Sequence, residues 1–235
     1  MITKRELLER SRKSGKPIVL GELLVTCSVK HWENPALHRH KGRICFRGDC
    51  AKDQYGKAAA YQDLGASPAG IWDVNANICW GCQPRNITKA SDAITAYLQS
   101  FLKGAETHVA IPVELWPPEW HKMGFKPYGD ERPMCRLNKA LYGHPEAGGH
   151  WERHLDAALK ALGAIPVKEH KSSYWFAKEM QLLTVYVDDL LMSGPADTQD
   201  SVWKRIRSKV DIEDPEPLDR YMGRTHIIEA LPKPS

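Results

Sequence analysis

No apolar run in this sequence approaches the roughly 20 residues that a membrane-spanning helix needs; those at residues 185–187 and 190–192 fall far short. A charged start followed by an apolar stretch, the mark of an exported chain, is also missing, because residues 2–16 read mostly as Lys, Arg, Glu and Ser. No internal period recurs, which excludes a solenoid. The expectation is therefore an intracellular chain, cytoplasmic or particle-associated, neither secreted nor attached to a membrane. What the 235 residues do hold is 42% hydrophobic and 26% charged side chains, enough to bury one core or two small ones and too much apolar material for a disordered tail.

Net charge is small, +4, but unevenly placed. Residues 1–60 carry 13 Lys or Arg against 6 acids, about +7, so the remainder sums to about −3. Such an excess at one end suits a phosphate-rich partner, and a solvated basic tail is the alternative. Six cysteines are present. Cys45/Cys50 and Cys79/Cys82 have spacings that could form two halves of a zinc site. Against this, Ser67-Pro68 reads as a helix start from which Ile71, Asn75, Ile78, Cys79 and Cys82 recur at helical intervals. That pattern places both thiols on a buried stripe, where cysteine is an ordinary core filler.

Residues 1–16 read as a basic flexible tail. Short strands follow at 18–20, 23–29 and 43–47, punctuated by Gly21, Asn34-Pro35 and Gly48-Asp49. The helix from Pro68, an extended piece at 86–91, an amphipathic segment at 93–102 and a strand at 108–113 come next. Trp116-Pro117-Pro118-Glu119-Trp120 reads as an irregular, aromatic-rich loop. The clearest helix covers 151–163, with Trp151, Leu155, Leu159 and Leu162 on one face and Gly163 as its stop. Strands at 174–177, 182–187 and 190–193 follow. A last helix, capped by Asp197 or Asp200, buries Val202, Trp203, Ile206 and Val210. Strands and helices interleave without βαβ repetition, which predicts an α+β fold with a sheet covered by helices.

Within 182–193, two apolar strands meet at Asp188-Asp189. Adjacent carboxylates repel by about 1 kcal/mol in water at 4 Å and by several times that near a protein surface. Asp-Asp also lacks the glycine or asparagine that a two-residue hairpin turn favours. A compensating cation is indicated, and magnesium, which takes oxygen ligands and pairs one or two carboxylates with substrate phosphates, fits. A plain polar hairpin tip is the alternative.

Four segments carry a resemblance. Tyr186-Val187-Asp188-Asp189 resembles the Tyr-x-Asp-Asp signature of reverse transcriptases. Residues 137–151, from Leu137 through Leu141-Tyr142-Gly143 to Trp151, resemble the copia-type retrotransposon motif L-x-K-A/S-L-Y-G-L-K-Q-A-P-R-x-W. Residues 91–100 are similar to that family's D-V-K-T-A-F-L-N-G segment, and residues 40–48 to its Y-K-A-R-L-V-A-R-G strand. Tyr221-Met222-Gly223 is similar to its Y-F-L-G piece. The order and intervals match across residues 17–229.

The resemblance implies a right-hand polymerase of fingers and palm: fingers-like residues 17–85, then a palm-like region 86–235 with an antiparallel sheet covered by helices and a catalytic hairpin at 182–193, without thumb or ribonuclease H. It implies RNA-directed DNA synthesis by two-metal nucleotidyl transfer onto a primer 3′-hydroxyl. Asp92, Asp188 and Asp189 would be catalytic, and with the Ala93 carbonyl they would hold two Mg2+ ions, Mn2+ being a substitute. Lys41, Arg43, Arg47, Tyr97, Tyr186 and Val187 would contact the nucleotide, Tyr97 as the aromatic that excludes a ribose 2′-hydroxyl. On one alternating strand, Lys41, Arg43 and Arg47 would share a face. The implied partners are an RNA or DNA template with its primer, deoxynucleoside triphosphates and other segments of a polyprotein, such as ribonuclease H and integrase. The sequence departs from the family at Glu146, where Gln is usual, and at Gly148-Gly149, where Pro-Arg is. A carboxylate beside a triphosphate is unfavourable, so Glu146 must turn away, bond a cation, or mark an altered pocket. A relic that only binds nucleic acid is the second reading.

Overall fold

The computed structural model describes residues 2–30, 32–61, 66–227 and 229. The fold is α+β, in two compact units that each take chain from two places: residues 1–64 with 100–150, and residues 65–99 with 151–235. This division differs from the expected boundary at 85/86, because the chain leaves the second unit after Gln99 and returns to it at Trp151. Among the described residues no helix is long and apolar enough to cross a membrane.

In the first unit, the strands Ile2–Thr3, Pro133–Arg136, Glu106–Ala110, Ile18–Lys30 and Arg39–Phe46 lie side by side in that order, and Lys52–Asp53 also pairs with Ile18–Lys30. Glu106–Ala110 runs parallel to Ile18–Lys30, and the other pairings are antiparallel. Gly21 does not interrupt the sheet, since it stays in register with Val109. Val19, Phe46, Ala51, Val109 and Leu141 form the core.

Three expectations fail in this unit. Residues 4–14 form a helix rather than a tail: Thr3 and Glu6 make a reciprocal capping box, Gly15 ends the helix in the left-handed conformation, and Leu7 is buried against Ile18 and Met134. The Trp116–Trp120 stretch is not wholly irregular, because Pro118 starts the short helix Pro118–Lys122, where proline's missing N–H costs no hydrogen bond. Arg47 falls outside the strand Arg39–Phe46, so it does not share a strand face with Lys41 and Arg43.

In the second unit the antiparallel sheet runs Glu216–Pro217, Asn86–Asp92, Asp189–Pro195, Gln181–Tyr186, Ser173–Phe176, Ile165–Pro166. Alternation sends successive side chains to opposite faces. Leu183, Leu190 and Met192 pack with Trp151, Leu155, Leu159, Val202, Trp203 and Ile206 on one face. Leu191 packs on the other with Val74, Leu218 and Tyr221. Asn77, fully buried on the helix Ile71–Gly81, reaches this second face and donates to Leu182 O (3.0 Å), Thr184 Oγ1 (2.8 Å) and Leu191 O (3.1 Å), which ties together the two strands of the central hairpin.

The helix Ile71–Gly81 starts three residues later than Pro68, capped by the Gly70–Asp73 pair, and the residues it buries are Val74 and Asn77. Cys79 and Cys82, expected inside, are exposed. The segment 93–102 holds only the short helix Ala96–Gln99, because Ala93 bridges to Ile212, Ile94 turns with its amide bonded to Asp211 O, and Thr95 takes a positive φ of 49°. The helix expected at 151–163 runs Ala147–Ala161, starting four residues earlier. The last helix, Ala196–Arg207, starts after Pro195 with no side-chain cap, and it buries Val202, Trp203 and Ile206 as expected.

Candidate active site

Strand pairing places the three aspartates. Asp189 stands opposite Asp92 in the pairing of Asp189–Pro195 with Asn86–Asp92, and the amide of Ala93 donates to the carbonyl of Asp188 at 2.7 Å. Tyr186 pairs with Asp189, so the turn consists of Val187 and Asp188, one residue earlier than the expected Asp-Asp tip, and Asp189 already belongs to the strand. Val187 has φ of 58° while Asp188 does not take a positive φ, the pattern of a type II′ turn, which normally puts glycine first. A β-branched residue there is strained by about 1–3 kcal/mol. The indole of Trp151 holds it, donating through Nε1 to Val187 O at 2.7 Å.

Burial, the charges of Asp188 and Asp92, and a hydrogen bond with the Asp92 side chain push the Asp189 carboxyl up to about 6. Three carboxylates thus crowd one end of these paired strands, and their mutual repulsion disfavours the ionised form of Asp189. Their oxygens are the donors that a hard divalent cation prefers, and such a cation would relieve the same repulsion, so the donor set fits magnesium. Among the described residues no three His, Cys, Asp or Glu side chains already converge as a ready-made metal cage.

Around this end of the strands, Tyr97 is half-buried against the Trp151 face of the core, and burial together with the Asp188 charge raises its phenol pKa. Tyr186 packs with Val74, Leu191, Leu218 and Tyr221. Tyr221 donates its hydroxyl to the carbonyl of Asp189 at 3.1 Å and is buried. Asp92, Ala93, Tyr97, Tyr186, Val187, Asp188 and Asp189 are therefore assembled within one unit. Sequence reading missed two supports of the site. Trp151 was legible only as core, although its place at the end of the Leu137–Trp151 motif was the available signal. Asn77 had no signal beyond its position one turn after Val74.

Lys41, Arg43, Arg47 and Glu146 belong to the other unit. Lys41 and Arg43 stand opposite Ser28 and Thr26 on the strand Arg39–Phe46, Arg43 exposed. Arg47 is engaged with Asp49 at 2.9 Å and with Glu22 at 3.8 Å. Glu146 is 8% exposed, its carboxylate 4.0 Å from His150 Nε2 on the next helical turn.

Beside it, His144 is also buried, its ring 4.9 Å from Phe46 and 5.2 Å from Tyr61. Its Nδ1 accepts from the Glu146 amide, which places the neutral ring's proton on Nε2. Burial, with the nearby His150 adding to it, lowers the His144 pKa to about 4. The unfolded chain takes up this proton near 6.5 and the folded one only near 4, so the contribution to stability is complete above the first value and lost as pH falls toward the second. His144 by itself is expected to lower the unfolding free energy by about 2 kcal/mol between pH 7 and pH 5, opposed in part by Asp189, whose raised pKa makes the folded chain gain a proton over the same range. Denaturant titrations of the wild-type chain and of His144→Gln at the two pH values check this, the wild type losing about 2 kcal/mol more than the variant.

A family model described as reverse transcriptase (RNA-dependent DNA polymerase) matches residues 87–231. The retrovirus-related Pol polyprotein from transposon TNT 1-94 of Nicotiana tabacum is 28% identical over 110 residues, which make up 45% of this chain and 8% of that protein. The matched stretch thus spans less than a tenth of the curated relative's length.

Proposed function

Because the chain belongs to the reverse transcriptase (RNA-dependent DNA polymerase) family, in the copia-type branch that its motifs and its tobacco retrotransposon relative indicate, we propose that it is the catalytic segment of a retrotransposon polyprotein, extending a primer on an RNA or DNA template. The observation that carries this reading is the register that sets Asp92 against Asp189 beside the Asp188 turn. On it, the second unit is the palm and the first the fingers.

Asp92, Asp188 and Asp189, with the Ala93 carbonyl, would hold two Mg2+ ions. When bound, they would supply charge neutralisation and an activated primer hydroxyl for in-line displacement. The chain's own residues do the positioning. Trp151 fixes the Val187 carbonyl and so the direction in which Asp188 leaves the turn. Tyr221, through the Asp189 carbonyl, steadies the start of the strand. Tyr97, packed beside Asp188, sits where its ring would meet the sugar of an incoming nucleotide. Lys41 and Arg43 offer cations to phosphates of the template or the triphosphate, while Arg47, already paired with Asp49, is the weaker candidate.

The test is extension of a primer on a homopolymer template with magnesium and deoxynucleoside triphosphates. Template binding without incorporation at any protein concentration would leave the nucleic-acid-binding relic as the reading. Ribonucleotide use tests Tyr97 separately: Tyr97→Ala is expected to raise ribonucleotide incorporation relative to deoxyribonucleotide by about tenfold, the effect of some 1.4 kcal/mol of lost discrimination. An unchanged ratio would remove Tyr97 from the nucleotide site.

A further inference from the structure

The helix Ile71–Gly81 ends in Cys79-Trp80-Gly81-Cys82, and neither thiol serves the core or the aspartate site. Both are free and exposed. The residues between them hold the helix end to the sheet: Trp80 donates from Nε1 to Met180 O at 3.2 Å and meets Trp175 edge-on at 5.9 Å. Gly81 lies so close to the strands that a Cβ there would fall 1.9 Å from Thr88 Oγ1 and 2.9 Å from Ser193 Oγ. With the middle of the motif anchored inward, its two ends are left facing solvent. Cys82 continues in helical conformation (φ −77°, ψ −5°), its amide bonded to the carbonyls of Ile78 and Trp80.

Residues three apart on a helix have Cα atoms about 5 Å from each other and side chains on adjoining positions of one face. This separation lies inside the roughly 4.4–6.8 Å range that a disulfide spans. Cys82 is the capping residue that follows the helix, so the small backbone adjustment needed for closure falls at the helix end and not in its interior.

We propose that Cys79 and Cys82 form a dithiol site that low-molecular-weight disulfides convert to an intrahelical disulfide. One thiolate attacks the small disulfide, breaks its S–S bond and releases one small thiol, leaving a mixed disulfide on the protein. The second thiolate then attacks the protein sulfur of that mixed disulfide and displaces the other small thiol. The protein loses two electrons and two protons, and both pass to the two released thiols. The bond closes a ring at the helix end that rests on Thr88 and Ser193, partners in the same strand pair that carries Asp92 and Asp189.

Titration of the folded chain with glutathione disulfide, followed by alkylation, trypsin and mass spectrometry, tests this. The tryptic peptide 58–85 contains Cys79 and Cys82 and no other cysteine. It is expected to lose two hydrogens, with no glutathione attached, at a glutathione disulfide concentration about tenfold below that which modifies the exposed single thiol Cys27, because the second exchange is intramolecular. Cys82→Ser should convert the same peptide to a glutathione adduct on Cys79. The proposal is overturned if the wild-type peptide takes up glutathione without an internal bond, or reacts only in step with Cys27.

Discussion

Replacing either Asp92 or Asp188 by Asn is expected to lower template-directed incorporation about a thousandfold, while the thermal midpoint holds or rises. The first effect follows because each carboxylate, on the proposed reading, helps to place the divalent charge where negative charge develops during displacement, a contribution of about 4 kcal/mol. The second follows from the crowding. Asp189 is already pushed up to about 6, in part by these same two neighbours, so removing one negative charge relieves repulsion and leaves the backbone bonds that assemble the site intact. Asn is nearly isosteric, and Asp92 is exposed, so no core contact is lost. Single-nucleotide incorporation and calorimetric melting of the same preparations read the two effects separately. Full incorporation by both variants would end the catalytic assignment. A large fall in the midpoint would show that the carboxylates support the fold instead.

Gly143→Ala is expected to destabilise the first unit by about 3–5 kcal/mol, a large part of the total stability of a domain. Gly143 has φ of +85°, and a Cβ there would lie 2.1 Å from the carbonyl oxygen of Phe46. The obstacle is backbone, so no side-chain rotation can relieve it. The strand would have to move away, breaking the 2.7 Å bond from Phe46 N to Tyr142 O and loosening Phe46 from the core it shares with Val19, Val109 and Leu141. Gly56 is the control, because its φ is +79° but nothing lies within 4 Å of a Cβ. Gly56→Ala meets only the conformational penalty, about 1 kcal/mol. Urea unfolding of the two variants separates the clash from the φ preference, and equal midpoints would refute the packing account.

The motif Leu141-Tyr142-Gly143 shows how a residue legible in sequence acquires its physical reason from the fold. Its glycine stands out as part of a family pattern, yet nothing near it in the chain says that the carbonyl it must make room for comes from residue 46. The same holds for the hairpin. Alternating apolar residues on both sides of Asp188-Asp189 made the two strands legible, but pairing of Tyr186 with Asp189 moved the turn back onto Val187. The stiff Val187 is kept at positive φ by an indole 36 residues earlier in the chain. Local pattern misplaced Cys79 and Cys82 for a related reason: the sheet covers the face that carries Val74 and Asn77, and which face a distant sheet covers is not written in the helix itself.

By itself the sequence determined the α+β class, the order of the main strands and helices, the family, and the aspartates that the family's motifs single out. These follow from period-two and period-3.6 apolar patterns and from short motifs, all of which are local. Only the tertiary structure decided that residues 4–14 fold as a capped helix, that each unit draws on two separate stretches of chain, that Glu146 is buried beside His150, and that Asp92 and Asp189 face each other. The burial of Leu7 against Ile18 and Met134, the make-up of the units and the pairing of Asp92 with Asp189 depend on contacts between residues far apart in the chain, and local propensity carries no information about which distant partner will satisfy a buried group.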